Sequence, residues 1–388
     1  MALKVCVLTS AHPPFDVRIF HKECKSLVRA GYDVTLIAAG AEDVIVDGVH
    51  IKPIPKPKDR FDRMYRGALE VYRRANEENA DVYHFHDPEL IPIALLLRLS
   101  GKKVIYDAHE DLPHTFSYKS YIPWFLRPLA AGTVGLIERA ACRAFSALVV
   151  ANPTTADRLR HVNGPAVVVH NYPKLEEFQT GDGEEAERPV RDGSFLYVGM
   201  RITRARGAEE MVQAIGLLPE SVQARLKLVG AWDPPTLPQE LCRLNGWQKT
   251  DHLGLLGRAG VAQALRRARA GLVVLHPEPN YLTAEPVKLF EYMCAGIPVI
   301  AGDFPSCRQI IERVGCGLLV DPLDPEQIAA AMLYLYNNEA EAEAMGKRGL
   351  QAALSDYNWS HEEKVLCQLY RSLWKPPFES LNQPATAR

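Results

Sequence analysis

The chain has 388 residues, of which 47% are hydrophobic and 24% charged, and it carries a net charge of −2 at pH 7. That length exceeds what one hydrophobic core usually supports, so two domains are expected. A near-neutral total argues against a general nucleic-acid binder, which needs clustered excess cations to neutralise phosphates. The charge is unevenly divided: residues 1–171 hold 22 Lys and Arg against 19 Asp and Glu, and residues 172–388 hold 23 against 28. The eight cysteines are scattered without a Cys-x-x-Cys pair, as expected of reduced thiols in a cytosolic protein. The N-terminus shows one lysine and a short strand instead of a leader. No apolar run reaches the roughly 18–20 residues that cross a bilayer. A cytoplasmic protein, soluble or peripherally attached, is expected.

In chain order, residues 4–10 read as a buried strand, and 15–31 as a loop and amphipathic helix with Asp16 placed to cap it and Gly31 to end it. Residues 34–38 form the next strand, which gives a strand–helix–strand unit of the parallel kind. Strands at 81–86, 103–107, 147–151 and 166–170, with helices near 61–76, 90–99 and 125–144, complete one doubly wound domain, residues 1–172. Residues 173–193 lose apolar periodicity and gain acid, Gly and Pro, as a linker does. A second alternating series fills 194–356, with strands at 195–199, 225–229, 253–256, 271–275 and 298–301. Its helices are predicted at 207–218, 239–245, 261–268, 286–295, 307–314, 325–337 and 339–354. A last helix lies within 357–375, and 376–388 is a polar tail. The fold class is therefore α/β, with two Rossmann-like doubly wound parallel-sheet domains facing across a cleft.

The stretch 271–303 organises the second series. Pro286 suits a first helical position and Gly296 the left-handed residue after the last turn. Lys288 and Glu291, three apart, share one helix face, near first-turn amides that could hold a phosphate or a sugar hydroxyl. Here the sequence resembles the GT-B glycosyltransferases, in particular the retaining glycosyltransferase family four. That family carries two glutamates eight positions apart, followed by a small residue, Gly, a variable residue and Pro. Glu291 with Ala295-Gly296-Ile297-Pro298 matches the second glutamate and its tail. Eight before it stands Thr283, with Glu285 two residues later, so the first glutamate is missing. Pro286-x-Lys288-x-x-Glu291-Tyr292-Met293 is similar to a variant of bacterial members.

The resemblance implies transfer of a sugar from a nucleotide-diphosphate sugar, the co-substrate, with retention of configuration and no further cofactor. Asp-x-Asp, which holds a metal in the other common glycosyltransferase architecture, is absent, so no metal is expected, and fixed cations and helix N-termini must stabilise the leaving diphosphate. The loop Gly199-Met200-Arg201-Ile202-Thr203-Arg204-Ala205-Arg206-Gly207 supplies cations. By resemblance Arg201 and Arg206 grip the diphosphate and Glu291 accepts from the ribose hydroxyls. Lys288 either contacts the leaving group or pairs with Glu291. Thr283 to Glu285 lie beside the donor sugar, where Glu285 replaces the missing carboxylate or caps the helix. Gly257 and Arg258 fall where relatives hold the base.

In the first domain, KKVIYDAHED places His109 just past a strand end, where relatives have a histidine beside the reacting sugar. Arg206, Glu291 and His109 are thus the candidate catalytic residues. His86 and Asp87 of HFHDPEL, and His12, Asp16 and Arg18 of HPPFDVR, are acceptor-side candidates, Asp16 being equally readable as a cap alone. The acceptor implied is a glycan or a lipid-linked glycan of bacterial surface-polysaccharide assembly. Residues 52–74 hold eight cations against three acids, and HTFSYKSYIPWFLR at 114–127 is rich in aromatics. Such segments suit the inner face of an anionic membrane, and equally a solvated helix face. A nucleotide-sugar epimerase on the same fold and a non-catalytic partner subunit are the rival readings, because fold does not fix the reaction. A plain dinucleotide oxidoreductase is disfavoured, since no Gly-x-Gly-x-x-Gly follows the first strand.

Overall fold

The computed structural model describes all residues except 1, 41, 110, 120–121, 160–165, 179–190, 283–284 and 375–388, and the side chain of Asn280. The chain divides into two compact units, Met1–Asn171 with Ser360–Arg388, and Tyr172–Trp359.

The first unit is built on β1 (Lys4–Leu8), β2 (Asp33–Ala39), β3 (Val44–Val46), β4 (Val49–Ile54), β5 (Val82–Phe85), β6 (Lys103–Ala108), β7 (Ala147–Val150) and β8 (Ala166–Val168). They form one sheet in the order β3-β4-β2-β1-β5-β6-β7-β8, parallel except for β3 against β4. The β3–β4 hairpin, which the sequence reading passes over, turns at Asp47-Gly48, both with positive φ, the backbone that suits the twist of a two-residue hairpin. Successive strands are apolar on both faces because helices cover both sides, and their core joins Leu8, Phe85, Tyr106 and Leu148 to the helices Ala68–Glu78 and Ile91–Leu99. The helix Trp359–Ser372 belongs here from Ser360 onward: the Tyr370 hydroxyl lies 2.9 Å from His84 Nδ1, and Glu362 accepts from the His170 amide at 2.7 Å.

The second unit is all parallel: β9 (Phe195–Ile202), β10 (Leu226–Trp232), β11 (Thr250–Gly254), β12 (Ala270–Val273), β13 (Val299–Gly302) and β14 (Gly317–Val320), in the order β11-β10-β9-β12-β13-β14. Alternate residues of β9 feed two cores, Phe195 and Tyr197 on one face and Leu196 and Val198 on the other. The sequence reading misses β14 and the short helix Pro279–Leu282, placed in a predicted loop. In each sheet the strand order reverses beside the first strand, at β1/β5 and at β9/β12. In open parallel sheets such a reversal leaves a crevice beyond the strands' C-terminal ends, where ligands are held.

Candidate active site

At the reversal in the second unit, two loops meet. The backbone after β9 turns through the short helix Arg204–Arg206 into Gly207, whose φ of 78° and whose packing exclude any side chain: a Cβ would lie 2.1 Å from the carbonyl oxygen of Val274. The loop after β12 is tied to it by the His276 amide, which donates to the Ala205 carbonyl at 2.9 Å. The helix Val287–Cys294 then starts after Pro286, which occupies the cap position and offers no side-chain acceptor, with Glu285 directly before it. Gly296 closes the helix with a φ of 66°, as its sequence position predicts.

The three arginines of the loop have different fates. Arg201 is exposed and pairs with Asp233 at 3.0 Å, and Arg204 is held between Glu209 and Glu240. Arg206 faces no carboxylate among the described residues. Its neighbours are the Arg201 carbonyl and the Tyr197 and Tyr281 rings' hydroxyls; burial opposes its charge, and the tyrosines restore it.

Lys288 is the second uncompensated cation. The sequence spacing allows a pair with Glu291, but its ammonium group lies instead over the Tyr197 ring, 3.9 Å from the centroid, with no hydrogen-bond acceptor among the described residues. Burial and the repulsion of Arg206, only partly offset by Glu291, push its pKa down to about 7. Glu291 is taken by Arg258, which donates to Oε1 at 2.8 Å and also holds Glu177. Arg258, predicted near a base, is thus the partner that orients Glu291. Oε2 of Glu291 makes no hydrogen bond among the described residues. Gly199 lies in β9, close under the Tyr197 hydroxyl. Thr283 lies outside the described residues.

The reversal in the first unit gathers the other candidates. Asp16 caps a π-helical segment, Val17–Cys24, accepting from the amides of Arg18 at 2.8 Å and Ile19 at 2.9 Å. Burial opposes its ionisation, but the His12 contact and these amides outweigh it and hold its pKa well below the usual carboxylate range. The wide turn aims Arg18 and Glu23 inward. Arg18 is not an accessible acceptor contact: it is buried, bonded to Asp107 Oδ2 at 2.9 and 3.0 Å and to the Val169 carbonyl, with Glu23 Oε1 2.9 Å away. His86 is likewise interior, between Asp107 at 3.4 Å and Glu23 at 3.6 Å, and burial keeps it neutral. Asp87 is spent on the loop after β1, where one oxygen accepts from the Thr9 hydroxyl at 2.8 Å and the Ser10 amide at 2.7 Å. Arg18, His86 and Asp87 are thus engaged within this unit, each paired with another polar group before it meets solvent.

Burial disfavours charge on Asp107 and Glu23 alike. Arg18 and the histidines overcome it for Asp107, whose carboxyl titrates well below its usual range, whereas the neighbouring negative charge keeps Glu23 well above. Glu23, His84, His86 and Asp107 place metal-type donor atoms within 4.8 Å of one another, and the cation in their midst is the Arg18 guanidinium, paired with the Asp107 carboxylate and 2.9 Å from Glu23 Oε1. Two imidazoles remain partly accessible, His12 and His109. They meet edge to face at 5.2 Å, with His109 Nδ1 3.7 Å from Asp107 Oδ1. Asp107, Glu23, Tyr197 and Glu177 were not singled out in the sequence. Only Asp107, inside YDAHED, carried a local signal.

A family model for group 1 glycosyl transferases matches residues 192–338, and one for Glycosyltransferase Family 4 matches residues 17–173. Phosphatidyl-myo-inositol mannosyltransferase of Mycobacterium leprae is 22% identical over 357 residues, 88% of this chain and 89% of that protein. Among solved structures, sucrose-phosphate synthase from Thermosynechococcus elongatus superposes with a TM-score of 0.75 at 20% identity, covering 96% of this chain and 99% of its own. HepE of Anabaena, in complex with UDP and glucose, gives 0.71 at 12% identity, covering 95% and 100%. With a family model on each of two parallel-sheet units, the chain belongs to the GT-B glycosyltransferases of the family four type.

Proposed function

We propose that this glycosyltransferase moves a sugar from a nucleoside-diphosphate sugar to a lipid-linked or glycan acceptor, with retention of configuration and without a metal ion. The observation that carries the donor half is the pair Arg206 and Lys288, two cations meeting on Tyr197 with no carboxylate bonded to either among the described residues and only Glu291 offsetting part of the Lys288 charge. Such a pair is costly to bury, and a diphosphate supplies the missing negative charge. Bond cleavage puts more charge on that diphosphate, so the same cations favour departure of the leaving group. Glu291, oriented by Arg258 through one oxygen, keeps Oε2 for a ribose diol. His109, partly accessible and backed by Asp107, serves the reacting sugar. Retention follows from attack on the face the leaving phosphate vacates, guided by that phosphate.

The mycobacterial relative, a phosphatidyl-myo-inositol mannosyltransferase, supports a lipid as the acceptor. No helix among the described residues is long and apolar enough to cross a membrane.

Calorimetric titration with UDP and GDP tests the donor site. Arg206→Ala and Glu291→Ala should each weaken binding about tenfold or more, the worth of a hydrogen bond to a charged group, and His109→Ala should bind normally but transfer slowly. Unchanged affinity in both of the first two variants overturns the assignment. A thermal-shift panel of nucleotide-sugars then identifies the donor.

A further inference from the structure

Arg258, the partner of Glu291, is itself shared between two carboxylates. It is the first residue of the helix Arg258–Arg267, where unpaired amides already carry partial positive charge, so its guanidinium needs negative neighbours. Glu177 and Glu291 supply them, and they are not held alike. Nη1 donates to Glu291 Oε1 at 2.8 Å, whereas Nε donates to Glu177 Oε2 at 2.7 Å and Nη2 donates to that same oxygen. The edge of the guanidinium that can grip a carboxylate with two parallel bonds is therefore spent on Glu177, and Glu291 receives a single bond.

Glu177 ends the short 3₁₀ turn Leu175–Glu177, inside the stretch that the sequence reads as a linker. Its neighbour fixes it there. Phe178 is buried in the core that contains Leu289, Phe290 and Tyr292 of the helix Val287–Cys294, and its ring centroid lies 5.6 Å from the Arg258 guanidinium carbon. The turn is thus packed against the helix that carries Glu291. Among the described residues Arg258 is the hydrogen-bonding partner that Glu177 has. One guanidinium between two carboxylates leaves a net negative charge, and Glu291 Oε2, which makes no hydrogen bond among the described residues, is where it meets a ligand. Without Glu177 the forked edge of Arg258 is released to close on both oxygens of Glu291. A carboxylate neutralised and occupied in that way is a poor acceptor for a diol.

We propose that Glu177 is a positioning residue for the donor: by occupying the forked edge of Arg258 it keeps Glu291 Oε2 open and negative for the hydroxyls of the nucleotide ribose. The proposal rests on the ribose reading of Glu291 above and deepens it, since the strength of the ribose contact is then set by a carboxylate that never touches the nucleotide.

The probe is whichever of UDP and GDP binds the wild type more tightly, together with its 2′,3′-dideoxy analogue, which lacks the diol. Both are titrated into the full chain by calorimetry. The wild type should prefer the ribose form about tenfold or more, the worth of a hydrogen bond to a charged group. In Glu177→Gln this preference should fall about threefold or more, while affinity for the dideoxy form stays at the wild-type level. Glu176→Gln, at the exposed residue beside it, should match the wild type with both ligands. In a Glu291→Ala background Glu177→Gln should change nothing further, because the two residues act through one contact. An unchanged preference in Glu177→Gln overturns the proposal. So does an equal loss for the ribose and dideoxy forms, the result of general damage to the site, or the same fall in Glu176→Gln. If the glutamine variant does not fold, Glu177→Ala is read in the same way. Glu291→Ala separates the two readings: if it keeps the wild-type preference, the ribose contact falls and takes this proposal with it. If it abolishes the preference while Glu177→Gln retains it, the positioning role alone falls.

Discussion

The ammonium group of Lys288 lies 3.9 Å from the centroid of the Tyr197 ring and has no hydrogen-bond acceptor among the described residues. With its pKa at about 7, against an ordinary 10.5, much of it is uncharged just above neutrality. A bound diphosphate favours the charged form and draws the pKa up again, so binding takes up a proton above pH 7. Affinity for UDP should therefore fall as pH rises from 7 into the alkaline range. Calorimetry at pH 8 in two buffers of different ionisation enthalpy measures the uptake, which should disappear in Lys288→Met. An equal uptake in that variant would sink the assignment.

The same lysine affects stability in the opposite sense. Its folded pKa is depressed, so the unfolded chain binds more protons between about 7 and 10.5, and stability rises with pH across that window. Below pH 7 the cost of the buried charge is complete. Lys288→Met should raise the melting temperature at pH 6.5 and gain less at pH 10, by differential scanning calorimetry.

Arg204 and Arg206 stand two residues apart and should respond differently. Arg204 is neutralised by Glu209 and Glu240 on the surface, where ion pairs contribute about 0–1 kcal/mol. Arg204→Ala should leave both the melting temperature and UDP affinity nearly unchanged, while Arg206→Ala loses affinity. Equal losses would show that the whole loop acts as a diffuse positive patch.

Removing Asp107 and removing Glu23 should differ as well. Asp107→Asn leaves the Arg18 guanidinium buried beside a neutral amide, a change that costs about 3–5 kcal/mol when a buried pair loses one partner. Glu23, kept protonated by burial and by Asp107, is mimicked by glutamine. Its folded pKa is raised, so the stability it brings is present at acid pH and is lost as pH climbs through that raised value. Glu23→Gln should fold, and its denaturant midpoint should decline less than the wild type's between pH 5 and 9. A steeper decline would contradict the protonated state.

Much of the fold was legible because parallel strands buried on both faces read as apolar runs, and the helices between them are amphipathic. What escaped was short: the strands β3 and β4 of the hairpin, β14 and the helix Pro279–Leu282 are each three to six residues long. At the site, sequence order put Arg206, Lys288 and His109 near strand or helix ends and Glu291 within the helix, and the structure has them there. Pairing was not legible. Whether Lys288 meets Glu291 or Tyr197, and whether Arg258 serves a ligand or Glu291, depends on which loops the sheet order brings together, and no local spacing encodes that. Arg18 and His86 illustrate the same point: a charged or imidazole side chain near a strand end reads as exposed until the residue opposite it is known.

The hydrogen bond between Tyr370 and His84 has a consequence for synthesis. The ribosome delivers all eight strands of the first sheet long before it delivers their final covering helix, so this half must wait, incompletely clad, while the whole of the other half is made. A message cut short near its end would therefore injure the beginning of the protein, and chaperone dependence should be greatest for chains stalled before codon 360.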